Sequence, residues 1–351
     1  MPVKTPRYLL LFGMARSGTS WIGKIFDSHP MTLYKHEPDS LEFAIPLAPP
    51  TDQAEQFRKP IRSFLDRLPT LSNAHVSGRL PIFRKAYRSR IAQKIHNLSV
   101  LAAVPGSSLH RRFPILQCAD VRRQDIMVVW KSILSLGRLG AILRTTEDCR
   151  AIWLMRHPCG YVYSIQRGET LGKFVSPVPA AEDFGIMQLL LQSVGRFSRG
   201  MTIDHMRQFD PVERIAWVWV LMNEKASADT QGDQRCFAVR YVDVCRDPER
   251  KAQEMFSFAG LSWNPQTASF IKASTLGTQP AAFDRLTQDE ARYYSIFKNP
   301  IRAAERWKSE MRPEDIEKVY RVLQQSDLIR VYPESEIPSF SPTLGADNTT
   351  V

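Results

Sequence analysis

The sequence predicts an α/β protein in which a P-loop-like parallel sheet is flanked by helices and interrupted by a largely helical basic insertion. Two short, continuous apolar runs, Tyr8–Phe12 and Arg150–Met155, each pass through a loop into a helical stretch. That pattern suits buried parallel strands opening α/β units. Two further apolar runs, Ile126–Trp130 and Cys236–Tyr241, alternate with long helical segments. The third observation is compositional. From Thr51 to Asp125 the chain carries fourteen Lys or Arg against five Asp or Glu, so most of its excess charge sits in one segment.

Each element has its own local reason. Tyr8–Phe12 ends in Gly13, and beyond the loop Trp21, Ile22, Ile25 and Phe26 recur at helical spacing across Ser20–Asp27. Arg150–Met155 is followed by Arg156-His-Pro158 and a helix over Cys159–Arg167. Pro211–Ala228 reads as a helix carrying Trp217 and Trp219, and Pro313–Gln325 as another with Pro in its first turn and acids beside it. Residues 337–351, rich in Ser, Pro, Thr, Gly and Asn, are expected to form a disordered tail. Residues 1–336 are then one domain, with about 45–125 as its variable basic insertion.

The formal net charge of +11 over 351 residues calls for an anionic partner without choosing among nucleotide, nucleic acid, lipid, glycan or acidic protein. Five scattered cysteines show neither a C-x-x-C pair nor metal-ligand spacing, so free thiols in a reducing compartment and no metal site are expected. Tyr8–Phe12 is too short to span a membrane and lacks a cleavage site, which points to the cytoplasm and leaves only peripheral membrane contact.

Two segments carry chemistry. In Gly13-Met-Ala-Arg16-Ser17-Gly18-Thr19-Ser20-Trp21, a strand-to-helix loop offers backbone N–H groups, hydroxyls and a guanidinium to a phosphate. Thr19 stands where the Walker pattern needs its Lys, which argues against a nucleoside-triphosphate kinase. In the second segment, Arg156 ends a strand and Ser164 lies on the next helix, so both reach the sheet edge where ligands of such folds collect.

These two segments resemble the 5′-phosphosulfate loop and the 3′-phosphate motif of sulfotransferases that use 3′-phosphoadenosine 5′-phosphosulfate (PAPS). Phe297-Lys298-Asn-Pro-Ile-Arg302 through Trp307-Lys308 is similar to the family's basic loop, and Tyr241-Val-Asp243 to its Tyr-Glu-Asp stretch. The resemblance implies that Arg16, Ser17, Gly18, Thr19 and Ser20 hold the 5′-phosphosulfate and that Arg156, Ser164, Lys298 and Arg302 hold the 3′-phosphate. It implies that Trp21 stacks on adenine, that adenosine 3′,5′-bisphosphate is the product, and that no metal takes part.

Glu37 falls where the carbohydrate and tyrosylprotein branches place a catalytic carboxylate, with His36 as a second candidate. Lys131 follows the Val128-Val-Trp130 run, but Ile133 stands where the cytosolic small-molecule branch has its His base. The pattern therefore points to the Glu-using branch, with Glu37, Lys131 and Arg16 as catalytic residues. The expected acceptor is a hydroxyl on a carbohydrate or glycolipid. A carrier-bound acyl or small natural-product hydroxyl is the alternative, the basic insertion meeting an anionic acceptor or acidic carrier. Outside the family stand a P-loop-type kinase and a basic nucleotide- or nucleic-acid-binding module; Arg84–Arg90 mixes basic and aromatic residues but carries no nucleic-acid motif, so no nucleic acid is expected.

Overall fold

In a computed structural model of the chain, the described residues are 7–41, 43–103, 112–174, 176–194, 199–276, 296–297 and 299–333. Among them five strands form one sheet: β1 (Tyr8–Phe12), β2 (Thr32–His36), β3 (Met127–Ser132), β4 (Cys149–Met155) and β5 (Cys236–Arg240). Their order is β2-β3-β1-β4-β5, and every pairing is parallel. With β1 at the centre, successive side chains feed opposite cores. Tyr8, Leu10 and Phe12 enter one with Trp130, Trp153 and Trp217, whereas Leu9 and Leu11 enter the other with Ile22, Phe26 and Phe256. Burial on both faces is why β1 and β4 read as unbroken apolar runs.

The helices in chain order are α1 (Thr19–Asp27), α2 (Arg58–Arg67), α3 (Ala74–Ser77), α4 (Arg90–Ala102), α5 (Leu139–Thr145) and α6 (Pro158–Thr170). They continue as α7 (Phe184–Val194), α8 (Ile203–Gln208), α9 (Pro211–Thr230), α10 (Tyr241–Arg246), α11 (Pro248–Ala259) and α12 (Pro265–Thr275), then Pro300–Glu305, Trp307–Glu310 and Pro313–Leu323. An Asp210 cap, a reciprocal bond that Glu213 accepts from the Asp210 N–H, and Pro211 in the first turn start α9. The basic insertion supplies α2, α3 and α4; α2 buries Ile61, Phe64 and Leu65 in the first core.

The fold corrects three local expectations. Strand β2 is absent from the sequence reading because Lys35 and His36 break its apolar pattern. Both are nevertheless buried, and Lys35 Nζ donates to the Leu71 carbonyl (2.5 Å) and Ser77 Oγ (3.3 Å) of the insertion. Burial pulls the Lys35 ammonium down to about 7. Strand β3 runs to Ser132, so Lys131 lies within it rather than after it. Strand β5 ends at Arg240, and Tyr241 opens α10. The tail expected at 337–351 lies outside the described residues.

Candidate active site

The C-terminal ends of the strands meet at one sheet edge. From β1 the chain turns through Gly13–Gly18 into α1. A Cβ on Gly13 would lie 2.6 Å from the Leu154 carbonyl oxygen, and one on Gly18 (φ 89°) would lie 2.2 Å from the Tyr241 ring. Both positions therefore need glycine for close approach, and Gly18 needs it for its backbone conformation too. Gly18 caps α1 without a side-chain hydrogen bond. The first N–H groups of a helix have no intrahelical acceptor, so those of α1 are directed at whatever occupies the loop. Ser17 and Thr19 are buried beneath it, and Ser20 is exposed.

Arg16 has a positive φ of 68°, a conformation that costs energy in a non-glycine residue and has to be held by its surroundings. Arg156, at the end of β4, supplies that hold: its Nη1 donates to the Arg16 carbonyl at 2.6 Å. Arg16 Nε in turn donates to Ser164 Oγ on α6 at 3.0 Å. The two phosphate-type motifs read separately in the sequence are thus one hydrogen-bonded unit. Arg156 Nη2 also donates to the Ala303 carbonyl (2.9 Å), which ties the C-terminal basic segment to the same place. Arg302, beside it, is exposed; Lys298 lies outside the described residues. Next to Arg156, a shallow pocket is lined by His157, Tyr241, Arg246, Trp307 and Lys308. His157 stacks on Trp307 with centroids 4.4 Å apart, and burial drops its imidazole to about 3, so it is a neutral structural residue.

Trp21 is 5% exposed, packs edge-on against Tyr241 and donates from Nε1 to Ser274 Oγ at 3.0 Å. Its indole is a core side chain with little surface left for a base to stack on.

On the other side of β1 stands the second cluster. In register, Lys131 of β3 lies between Leu11 of β1 and His36 of β2. The Glu37 N–H donates to the Lys131 carbonyl at 2.8 Å, extending the β2–β3 pairing by one residue. Glu37 then turns the chain with φ 47°. This turn brings its carboxylate onto Lys131, whose Nζ donates to Oε1 in a short contact. Lys131 is 1% exposed and the Glu37 side chain 16%. Burial opposes the charge on Glu37, but the Lys131 ammonium outweighs it and holds the carboxyl below its ordinary range. Burial, partly offset by Glu37, lowers Lys131.

His36 is neutral: burial first, then Lys131, pushes its imidazole well below the usual value, and Nδ1 shares a hydrogen bond with Tyr34 OH at 3.1 Å. It is thus a weaker base candidate by position and by hydrogen bonding.

Asp39, not singled out in the sequence, anchors the Glu37 turn. It accepts from Trp130 Nε1 (3.1 Å), Ser132 Oγ (2.6 Å) and Ser135 Oγ (2.7 Å), and Arg138 Nη1 lies 3.6 Å away. The only local signal was its place two residues after Glu37. Tyr241 was noticed within Tyr241-Val-Asp243, but nothing local showed that its ring would cover Gly18.

Chemically, the edge presents guanidinium, hydroxyl and N–H donors on the β1–β4 side and a carboxylate–ammonium couple on the β2–β3 side. The donor set fits a polyanion such as a phosphosulfate, because the loop itself contributes no carboxylate.

Comparison with known proteins gives a family match over part of the chain. Residues 9–175 match a family model described as the sulfotransferase family. A 77-residue stretch is 38% identical to carbohydrate sulfotransferase 3 of Mus musculus and covers 22% of this chain and 14% of that protein. The Homo sapiens protein of the same name is 35% identical over 77 residues. The chain thus matches only a small part of the length of these curated relatives. Among solved structures, a sulfotransferase domain from the curacin biosynthetic pathway is 15% identical, with a TM-score of 0.45 over 92% of this chain and 98% of that one. A mouse sulfotransferase complexed with PAP is 12% identical, with a TM-score of 0.41 over 92% and 87%. Among the described residues, no helix is long and apolar enough to cross a membrane, and no group of three or more His, Cys, Asp or Glu is placed to hold a metal.

Proposed function

Because the chain belongs to the sulfotransferase family, we propose that it transfers a sulfonate from PAPS to an acceptor hydroxyl, with Glu37 as general base. The observation that carries this reading is the meeting, at one sheet edge, of the Arg16–Ser164–Arg156 unit with the Glu37–Lys131 couple. When bound, PAPS supplies the sulfonate and an adenosine 3′,5′-bisphosphate leaving group. Arg16, Ser17, Thr19, Ser20 and the α1 N–H groups hold the 5′ side, where charge develops as the bond to sulfur breaks. Arg156 and Ser164 hold the 3′-phosphate, with Arg302 and Lys298 closing from the C-terminal segment. The work is positioning and electrostatics, as for phosphoryl transfer.

Glu37 removes the proton from the attacking hydroxyl. Paired with Lys131 it is a weak base, which gives Lys131 a second task. As it turns from Glu37 towards the departing negative charge, the carboxylate regains basicity at the moment the proton must leave. The acceptor class we favour is a sugar hydroxyl, on a glycan or glycolipid, supported by the Glu37 position and the short match to carbohydrate sulfotransferase 3. The five free cysteines support a reaction in the reducing cytoplasm. The test is release of adenosine 3′,5′-bisphosphate from PAPS in the presence of sugar and glycolipid acceptors. Acceptor-dependent release that Glu37→Gln lowers at least about 100-fold is expected. Release at the wild-type rate from a folded Glu37→Gln protein would remove the base assignment.

A further inference from the structure

Helix α4 buries one side and exposes another that is just as apolar. Val100 and His96 are buried, and Val100 packs with Ala103, just beyond the helix end, and with Ile115, Leu80 and Ile82. At about 100° per residue, Ile91, Ile95 and Leu98 fall together on the opposite face. They are 72%, 41% and 66% exposed, and Leu101 beside them is 44% exposed. The chain that crosses α4 on its His96 side carries two more exposed apolar residues. There the Leu116 carbonyl accepts from His96 Nδ1 at 2.7 Å, while Leu116 and Phe113 stand 55% and 43% exposed. A surface helix of a soluble domain normally turns its polar side outward. A row of exposed apolar side chains along one helix face, like this one, marks an interaction surface.

Charge identifies the occupant. From Arg67 to Ala119 the sequence contains nine Lys or Arg and no Asp or Glu. Arg90 and Lys94 are exposed on α4 itself, at the flank of the stripe, and Arg84 and Arg112 are exposed on the neighbouring segments. Apolar side chains rimmed by cations, on a helix parallel to the surface, suit the interface of an anionic bilayer, where the apolar face enters the acyl boundary and the cations meet headgroups. The block that carries α4 is clamped to both ends of β2, the edge strand that leads into Glu37. Lys85 Nζ donates to the His29 carbonyl (3.1 Å) and Thr32 Oγ1 (3.3 Å), and Ser40 Oγ bonds His75 Nε2 at 3.0 Å.

We propose that α4 docks the protein onto an anionic lipid surface and that the acceptor hydroxyl is borne by a membrane lipid. The second half rests on the sulfotransferase reading; the first does not.

The experiment is co-sedimentation of the full chain with phosphatidylcholine vesicles and with vesicles enriched in phosphatidylserine. Wild type, Ile91→Ser/Leu98→Ser and Arg90→Glu/Lys94→Glu are compared, each with its affinity for adenosine 3′,5′-bisphosphate. Because these side chains are exposed, both variants should keep their fold and bind the nucleotide as wild type does. Binding to the anionic vesicles that weakens at least tenfold in each variant, and falls with added salt, is expected. Wild type remaining in the supernatant with both vesicle types would overturn docking while leaving nucleotide binding, and so the function, intact. Vesicle binding unchanged in Ile91→Ser/Leu98→Ser would overturn the assignment to α4. Self-association in sedimentation equilibrium that the same variant abolishes would give the stripe to a second copy instead. Vesicle binding with sulfonation confined to soluble acceptors would overturn the lipid-borne acceptor alone.

Discussion

The Glu37–Lys131 couple makes a quantitative prediction through a double-mutant cycle. Glu37→Gln removes the carboxylate from an ammonium that is 1% exposed. Breaking one side of a buried pair typically costs about 3–5 kcal/mol. The lower end, about 3 kcal/mol, applies here because the Glu37 side chain is 16% exposed and burial already favours loss of the Lys131 proton. Lys131→Met leaves a carboxylate with partial access to water and should cost less, about 2 kcal/mol. The double variant removes both charges, and its cost should fall short of the sum by about 2 kcal/mol. Urea denaturation of the four proteins, with CD and fluorescence in parallel, measures the cycle. Additivity within about 0.5 kcal/mol would show that the two groups do not interact and would refute the coupling on which the base mechanism depends. Turnover in the same four proteins should also be non-additive, since one unit is lost either way.

Two further outcomes follow from the same geometry. Gly18→Ala forces a Cβ against the Tyr241 ring at a φ of 89°, so it should cost at least about 1–2 kcal/mol and weaken nucleotide binding; wild-type stability and affinity would show that the loop is not packed under Tyr241. Because Lys131 outweighs burial at Glu37, this carboxyl titrates below its ordinary 4.5 in the folded state, so the unfolded chain takes up its proton first as pH falls. The stability it contributes is full above that ordinary value and is lost as pH falls through the folded one. The stability gap between wild type and Glu37→Gln should therefore close in acid, and a gap that widens there would contradict the assignment.

How much was legible depended on whether a residue's reason lay nearby. Strands β1 and β4 declared themselves because parallel strands buried on both faces are unbroken apolar runs. Their loops carried donors at recognisable spacing, so Arg16, Arg156 and Ser164 could be named. Strand β2 was hidden because Lys35 looks like a surface residue; its burial depends on carbonyl and hydroxyl partners about forty residues away in the insertion. Asp39 was missed because its partners, Trp130, Ser132 and Ser135, lie on β3 and the loop after it. Trp21 was expected to stack on adenine, and only the packing with Tyr241 and Ser274 shows how fully it is buried. The apolar stripe of α4 was obscured because its pattern resembles that of a helix with a single buried face.

The most direct test of the central claim is calorimetric binding of adenosine 3′,5′-bisphosphate to wild type and Arg156→Ala, with Mg-ADP as control. A dissociation constant near micromolar, about −8 kcal/mol, lost in Arg156→Ala and not matched by Mg-ADP, is the predicted result. Tight Mg-ADP binding with no preference for the 3′-phosphate would contradict the sulfotransferase account and favour a phosphoryl-transfer enzyme.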